Sequence, residues 1–207
     1  MTDFDSLLNL TSPGVPGLPL GPGDHVCAFY SGLAERDEVL VPYLREGLRR
    51  GEKCVCVVDA TDPEAVIGAL GAEPDTASGL EDQLDVRRSS ETYLLDGRFS
   101  INRMLDFWDV TVGGAVAGGF SFARAVGEMT WALRQMPGVE DLVRYESELN
   151  RFLPRYPQMI LCLYDLERFN AEVLVDVLKT HPKVLLRGMI LDNPYFLEPD
   201  EFLASRS

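Results

Sequence analysis

The sequence predicts an α/β domain of three layers, a mainly parallel sheet with helices on both faces. Three observations lead to this prediction. Short apolar runs alternate along the chain with segments whose apolar residues recur every three to four positions, as in amphipathic helices. Residues 54–58 are apolar throughout, which is typical of a strand buried on both faces. Helices of this length between strands favour right-handed crossovers, and these leave the strands parallel.

The first predicted unit is strand, helix, strand. Residues 25–31 form an apolar run, and residues 36–50 place apolar side chains on one helix face. Gly51 is expected to end that helix, because glycine readily adopts the left-handed conformation that follows a helix C-terminus. The buried strand 54–58 then ends at Asp59.

The next segment contains two helices and a short strand. Asp62 and Pro63 are expected to open the first helix as its N-cap and first residue. Residues 84–86 are expected to form a short strand. Residues 100–116 follow as a long helix, with Ser100 at its start and Trp108 on its inner face.

The last third repeats the alternation. A strand at 120–128 precedes a helix at 139–153, which lies between prolines. Residues 158–164 are the most apolar strand of the chain and are expected at the centre of the sheet. A helix at 171–179 leads to residues 184–191, where the pattern fits either one strand or a hairpin.

The predicted domain occupies residues 24–200. Residues 1–23 are rich in Pro and Gly and are expected to form an arm, and residues 201–207 a tail. The arm carries leucines that could dock on the domain or on a partner: Leu7, Leu8 and Leu10.

Charge and cysteine placement exclude several classes of protein. The formal net charge of −14 disfavours direct binding to nucleic acid or to an anionic membrane, because both are polyanions. The 207 residues contain no apolar run of about 18 that would span a bilayer. The four cysteines lie in apolar runs rather than in a disulfide pattern, so we expect a reducing cytoplasm.

Ligands of parallel sheets bind beyond the carboxyl ends of the strands. The turn 30–37 offers Tyr30 and Ser31 there, but it has one glycine, no lysine, and the acids Glu35 and Asp37. A phosphate-binding loop needs several glycines and a lysine, so we expect no nucleotide chemistry at this turn. Without a phosphate-binding loop, Asp165 is not expected to bind magnesium. It is expected instead to cap the next turn or to bind a polar group of a ligand.

A second group of candidates surrounds the strand at 120–128. Arg124 and Glu128 lie on one face of this strand, where a charged pair is costly to bury unless it is paired or liganded. They form either an ion pair that joins strand to helix or part of a ligand site. Trp131 suits either a pocket wall or the core.

No metal site is expected. His25 with Cys27, and Cys54 with Cys56, each share one face of a strand and could together bind zinc in principle. Their spacing matches no zinc motif, and cysteine is among the residues most often buried.

Several motifs in a fixed order resemble a known family. They are "DHVCAFYSG", "LREGLRRGEKCVCVVD", "GEMTWAL", "YESELN", "CLYDLERF" and "HPKVLLRGMILDNPYF". Over residues 24–198 the chain resembles the MEDS family, the methanogen/methylotroph sensory domain. The resemblance implies a RecA-like core without a phosphate loop and a sensor of small, hydrocarbon-type ligands. It implies partners such as kinases, anti-sigma factors or transcription regulators, and no cofactor.

The resemblance also adds candidate ligand-binding residues. Carried over residue by residue, the family's recurring positions are His25, Cys27, Asp59, Gly127, Glu128, Trp131, Tyr145, Glu146, Tyr164, Asp165, Asn193 and Pro194. Signalling is expected through contact with another protein or through homo-oligomerisation, because no output domain follows residue 198.

The sequence supports three alternative functional hypotheses. The first is a non-enzymatic sensor with a ligand near the strand ends and a mobile segment at 130–140 or in the arm. The second is a divergent nucleotide hydrolase that uses Asp59, Glu128 and Asp165 around magnesium. The third is a protein-interaction module without a small ligand, which docks through the helix 139–153 or its acidic face.

Overall fold

The computed structural model describes residues 14, 17, 19–71 and 80–206. Its sheet has seven strands in the order β3-β2-β4-β5-β1-β6-β7. They are β1 His25–Tyr30, β2 Lys53–Val58, β3 Leu84–Arg88, β4 Ala123–Glu128, β5 Gln158–Asp165, β6 Lys183–Leu186 and β7 Met189–Asp192. All neighbouring strands are parallel except β6 and β7. The most apolar strand, β5, lies in the middle, as predicted.

Helices cover both faces of this sheet, which confirms the three-layer prediction. The helices are α1 Gly32–Arg49, α2 Pro63–Gly71, α3 Leu80–Gln83, α4 Ile101–Ala117, α5 Leu142–Phe152, α6 Ala171–Thr180 and α7 Pro199–Ala204. One buried cluster joins the sheet to α1 and α2, and the other joins it to α4, α5 and α6. Alternate residues of each strand feed the two clusters, because strand side chains point to opposite faces in turn.

Some predicted boundaries were wrong. Helix α1 begins at Gly32, four residues before the predicted start, and the backbone N–H of Ser31 donates to Glu35 Oε2 at 2.6 Å. Its C-terminus agrees with prediction, since Gly51 follows it with φ of +71°. Strand β4 begins at Ala123 rather than at residue 120, and the predicted helix 139–153 starts as a 3₁₀ turn before α5.

The segment 183–192 is a hairpin rather than one long strand. Its turn is formed by Arg187 and Gly188, both with positive φ, at +48° and +75°. Two successive residues with positive φ are the requirement of the tight turn that joins antiparallel strands. The hairpin therefore makes β7 the last strand of the sheet.

Residues near both ends of the described chain pack against the domain. Leu20, within the predicted arm, is fully buried, and Gly17 forms a parallel bridge with Ile190. The predicted boundary at residue 200 falls inside α7, whose Phe202 is also fully buried. Leu7, Leu8 and Leu10 lie outside the described residues. Within 19–71 and 80–206, no helix is both long enough and apolar enough to cross a membrane.

Helix α1 lies close against side chains of the sheet at Gly47. A Cβ at Gly47 would lie 2.6 Å from Cys54 Sγ and 2.7 Å from Arg124 Cδ. Both side chains are buried between α1 and the sheet. A side chain at this position would therefore force the helix away from β2 and β4.

We expect Gly47→Ala to lower the free energy of unfolding by about 1 to 3 kcal/mol, the usual cost of overpacking. The matched control is Gly114→Ala in α4, where a Cβ would meet no atom within 4 Å. That change should be neutral or stabilising by about 0.5 to 1 kcal/mol, because alanine favours helix. Urea unfolding measures the stability of both variants. Equal free energies of unfolding would contradict the close packing at Gly47.

Candidate functional site

The predicted site residues fall in separate places in the structure. One group lies at the carboxyl ends of the strands, a second inside the domain between the sheet and α5, and a third in the core packing around β4. Asn193 lies apart from them, next to β7. Each place has its own chemistry.

At the strand ends, Glu128 is held by the turn that follows β2. Its Oε2 accepts hydrogen bonds from the backbone N–H groups of Asp59, at 2.8 Å, and of Ala60, at 3.1 Å. Its Oε1 lies 3.5 Å from Nη1 of Arg36, and both side chains are almost fully buried. Arg36 also donates to Asp37 and to Thr61. Arg36 therefore compensates the buried carboxylate of Glu128 at the carboxyl ends of the strands.

Asp59 is satisfied by neighbouring segments of the chain. Its carboxylate accepts hydrogen bonds from the hydroxyls of Ser89 and Thr130, and it pairs with Arg134 at 3.0 Å. The sequence predicted Asp59 but not these three partners, which come from segments distant in sequence. Asp59 thus fixes the segments after β3 and β4 against the end of β2.

Asp165 acts as the predicted turn cap, because its Oδ1 accepts from the backbone N–H of Glu167 at 3.0 Å. Tyr30 is buried beside it, and burial, together with the charges of Glu128 and Asp165, raises the pKa of its hydroxyl. Ser31 is the single residue between β1 and α1.

Arg124 does not pair with Glu128, which corrects one of the two predicted arrangements. Its Nε donates to Glu52, its Nη1 donates to the carbonyl oxygen of Tyr43 at 3.1 Å, and its guanidinium lies over the Tyr43 ring. Arg124 is at the start of β4 and Glu128 at its end, so each meets a partner from another segment. Arg124 therefore joins the sheet to α1 and lies away from the strand ends.

Trp131 and Tyr145 belong to an aromatic cluster in the core. Trp131 stacks on Tyr93 with ring centroids 4.6 Å apart and also contacts Phe99. Tyr145 accepts a hydrogen bond from Trp108 Nε1 at 2.7 Å. Trp131 and Tyr145 are fully buried. The core interpretation of Trp131 therefore agrees with the structure.

The interior group brings His25 and Glu146 together with two residues that the sequence did not single out, Cys162 and His181. Glu146 Oε2 lies 3.2 Å from His25 Nε2 and 3.6 Å from His181 Nε2. Cys162 Sγ lies 3.4 Å from His25 Nε2 and 3.5 Å from Glu146 Oε2. Tyr164 donates its hydroxyl proton to the other oxygen of Glu146. We call His25, Glu146, Cys162 and His181 the interior tetrad.

Burial controls the charge of the tetrad, whose members are all fully buried. It lowers the pKa of His25 and that of His181 to about 3, so both imidazoles are neutral at neutral pH. Burial also raises the pKa of Glu146 and holds the pKa of the Cys162 thiol well above its ordinary value. Ionising the two acids requires a positive charge nearby.

The four residues that the sequence spacing excluded as a zinc site, His25, Cys27, Cys54 and Cys56, do not come together in the structure. Cys27 belongs to the buried cluster beneath α4, α5 and α6, whereas Cys54 and Cys56 belong to the cluster beneath α1 and α2. The sheet therefore separates them. Strands β1 and β2 are also not neighbours, because β4 and β5 lie between them.

Asn193 joins the segment after β7 to the end of α6. Its Nδ2 donates to the carbonyl oxygens of Leu178, at 2.6 Å, and His181, at 2.7 Å. Beside it is an apolar groove of about 480 Å³, which we call the β6–β7 groove. Its walls include Phe29, Leu174, Leu178, Val184, Leu191 and Tyr195.

Comparison with known proteins identifies the family. The sequence model of a domain described as MEDS, the methanogen/methylotroph, DcmR sensory domain, matches residues 24–182. The chain belongs to the MEDS family. This confirms the resemblance noted from the motifs.

The curated transcriptional repressor DcmR of Methylorubrum extorquens (strain DSM 6343 / CIP 106787 / DM4) is 33% identical over 183 residues. The match covers 86% of this chain and 65% of the repressor, so the chain spans about two-thirds of that relative's length. Both findings indicate a sensory or regulatory role.

The fold is also found in a solved structure, a KaiC-like protein, PH0186, from Pyrococcus horikoshii OT3. The two chains superpose with a TM-score of 0.60 at 14% identity, over 86% of this chain and 79% of that one. At this identity the likeness concerns the fold alone. It confirms the RecA-like α/β sandwich that the motifs implied.

Sequence reasoning missed two members of the tetrad for identifiable reasons. His181 directly precedes a proline just after the predicted helix 171–179, and Cys162 lies within the apolar run 158–164, so neither stands out as a site residue. The available signal was that the chain has two histidines and that Cys162 shares a strand face with Tyr164. What could not be seen was that β1 and β5 are neighbours.

Proposed function

We propose that this protein is a non-enzymatic sensor that binds a small, mainly apolar ligand and signals to a regulatory partner protein. Membership of a family of sensory domains supports the sensing role, and the likeness to a transcriptional repressor supports the regulatory role. The observation that carries the choice of ligand is the β6–β7 groove.

The groove fits a small apolar ligand in size and in lining. Its volume of about 480 Å³ lies within the range of about 300 to 1,000 Å³ that is usual for ligand pockets. Leu178, Val184 and Leu191 contribute apolar walls, and Asp192 and Asn193 supply polar groups that can orient a ligand. Among the candidate residues taken from the sequence, Asn193 and Pro194 line this groove.

The groove also contains apolar side chains that are open to solvent in the described part of the chain. Tyr195 is 69% exposed and Val175 is 52% exposed. Covering such surface is favourable, because apolar area removed from water contributes about 25 cal/mol per Å². A ligand in the groove would lower the free energy of the domain through this term.

A route from ligand to signal exists at the joint between α6 and β6. Asn193 lines the groove and bonds the carbonyl oxygens of Leu178 and His181. A ligand can shift a conformational equilibrium only by binding one state better than the other. We therefore expect ligand binding to change protection at this joint, and a kinase, anti-sigma factor or transcription regulator to respond to that change.

A groove-filling variant tests the proposal. Ala171 lines the groove and is exposed at the start of α6, so Ala171→Trp should fill the groove without removing a core contact. The matched control is Ala117→Trp, at an exposed position at the end of α4. Saturation-transfer NMR with toluene and hexane measures binding by each protein.

We expect both probes to bind the natural protein and Ala117→Trp, and binding to be lost in Ala171→Trp. Binding that persists unchanged in Ala171→Trp would place the ligand elsewhere. No binding to any of the three proteins would favour the interaction-module hypothesis, in which the groove receives a side chain of a protein partner.

A further inference from the structure

The interior tetrad has a donor set that the proposed sensory function does not use. Its four side chains come from β1, α5, β5 and the end of α6, and all are fully buried. One ligand atom from each lies within 4.8 Å of every other. Two imidazole nitrogens, one carboxylate oxygen and one sulfur thus meet at one point inside the domain.

Four of the six distances between these atoms match the edges of a metal-centred tetrahedron. A tetrahedral zinc ion with bonds of about 2.0 Å to nitrogen and oxygen and about 2.3 Å to sulfur has ligand–ligand edges of about 3.3 to 3.6 Å. The edges from Glu146 Oε2 to His25, His181 and Cys162 are 3.2, 3.6 and 3.5 Å. The edge from Cys162 Sγ to His25 Nε2 is 3.4 Å.

The outer contacts of the histidines leave both Nε2 atoms free of hydrogen. His25 Nδ1 lies 3.1 Å from Asn150 Oδ1, and Asn150 uses its amide N–H groups on backbone carbonyls such as that of Thr180. His181 Nδ1 lies 2.8 Å from the carbonyl oxygen of Val177. Both neighbours are acceptors, so each Nδ1 carries the proton of its neutral imidazole. This is the orientation that metal-binding histidines have in proteins.

The two Nε2 lone pairs therefore face a carboxylate oxygen and a sulfur, and neither Nε2 atom carries a hydrogen that it could donate. In the described part of the chain, His181 Nε2 has no hydrogen-bond partner although it is fully buried. A buried acceptor without a donor is costly, and a cation at the centre of the tetrad removes that cost. Glu146 is in turn oriented by the hydroxyl of Tyr164.

The charges of the donor set also balance. A carboxylate and a thiolate carry two negative charges, which are prohibitive in a dry interior unless they are compensated. Two neutral imidazoles add none, so one divalent cation makes the site neutral. Nitrogen and sulfur ligands exclude calcium and magnesium, which prefer oxygen, and favour zinc.

We propose that His25, Glu146, Cys162 and His181 bind one divalent transition-metal ion of the zinc class in a closed tetrahedral site. Four protein ligands leave no open position, so the ion is structural. It joins α5 and the end of α6 to β1 and β5. Since the ligands converge only in the folded chain, binding of the ion is coupled to folding.

The experiment uses the full chain and the metal ions zinc and cobalt. Protein produced in zinc-supplemented medium is expected to retain about one zinc per chain after dialysis, as structural sites do. Protein refolded with Co²⁺ in place of zinc should show the intense visible absorption of tetrahedral cobalt and a thiolate-to-cobalt charge-transfer band. No retained zinc and no tetrahedral cobalt spectrum would overturn the proposal.

A matched pair of cysteines assigns the site. Cys27 and Cys162 lie opposite each other on neighbouring strands and are both fully buried, but the Cys27 thiol faces the carbonyl oxygen of Lys183. We expect Cys162→Ser to lose the thiolate band and Cys27→Ser to keep it. Retention of the band by both variants would overturn the assignment.

A second variant keeps the test decisive if Cys162→Ser does not fold. Replacing the other three cysteines, Cys27, Cys54 and Cys56, by serine leaves Cys162 as the single thiol of the chain. Its cobalt complex must still show the thiolate band, and absence of the band in folded protein would overturn the proposal.

Discussion

Replacing Trp131 with alanine is expected to lower the free energy of unfolding by about 3 to 5 kcal/mol, the range for large buried aromatic side chains. Trp131 is 0% exposed, and its ring stacks on Tyr93 at 4.6 Å with an interplanar angle of 12°. Phe99 packs against it at 4.5 Å. These rings are themselves buried and cannot collapse into the space that alanine leaves. Urea unfolding followed by circular dichroism measures the loss.

The control is Val110→Ala on the outer face of α4, where the side chain is 75% exposed and little change is expected. Trp131→Phe should lie between the two, because an aromatic ring remains in the cluster. If Trp131 were instead the wall of an open pocket, Trp131→Ala would leave stability almost unchanged and would alter ligand binding. A loss below about 1 kcal/mol would therefore contradict the core assignment.

The layers and the order of the elements were predictable because they rest on local periodicity. A continuous apolar run such as that of β5 is buried on both faces wherever it lies, and the sheet places it in the middle. The start of α1 was not predictable from periodicity, because Gly32–Glu35 has no apolar stripe and the first turn is held by Glu35. The hairpin turn at Arg187 and Gly188 depends on a positive φ for an arginine, which the sequence does not favour.

The sequence predicted which charged residues matter in the candidate site, but not which partners they pair with. Glu128 and Arg124 alternate on one strand face, which suggested that they pair, yet each is neutralised by a residue far away in sequence. Their partners are Arg36, from the first helix, and Glu52, from the loop after it. The tetrad shows the same limit, because the spacing of its residues along the chain is unlike that of a zinc motif. Only the adjacency of β1 and β5 brings His25 to Cys162.

Replacing Glu128 with alanine is expected to cost about 3 to 5 kcal/mol, because it removes the buried partner of the Arg36 ion pair and leaves the guanidinium with the exposed carboxylate of Asp37. The change would leave the buried guanidinium of Arg36 without its nearest buried carboxylate. It would also remove the acceptor of two backbone N–H groups, those of Asp59 and Ala60. Glu128→Gln keeps an acceptor oxygen of the same shape, so we expect a smaller loss of about 1 to 3 kcal/mol.

The direction in which the Glu128 variants change the free energy of unfolding distinguishes a structural role for Glu128 from the hydrolase hypothesis. Carboxylates held in a site for catalysis are strained, and their removal commonly stabilises a protein. A hydrolase would also gain about 2.7 kcal/mol from Mg-ATP at 100 times its dissociation constant. We expect both Glu128 variants to unfold at lower urea concentration than the natural protein, and Mg-ATP to leave all three thermal transitions unchanged. Stabilisation by Mg-ATP that is lost in Glu128→Gln would instead show that the strand ends bind a nucleotide.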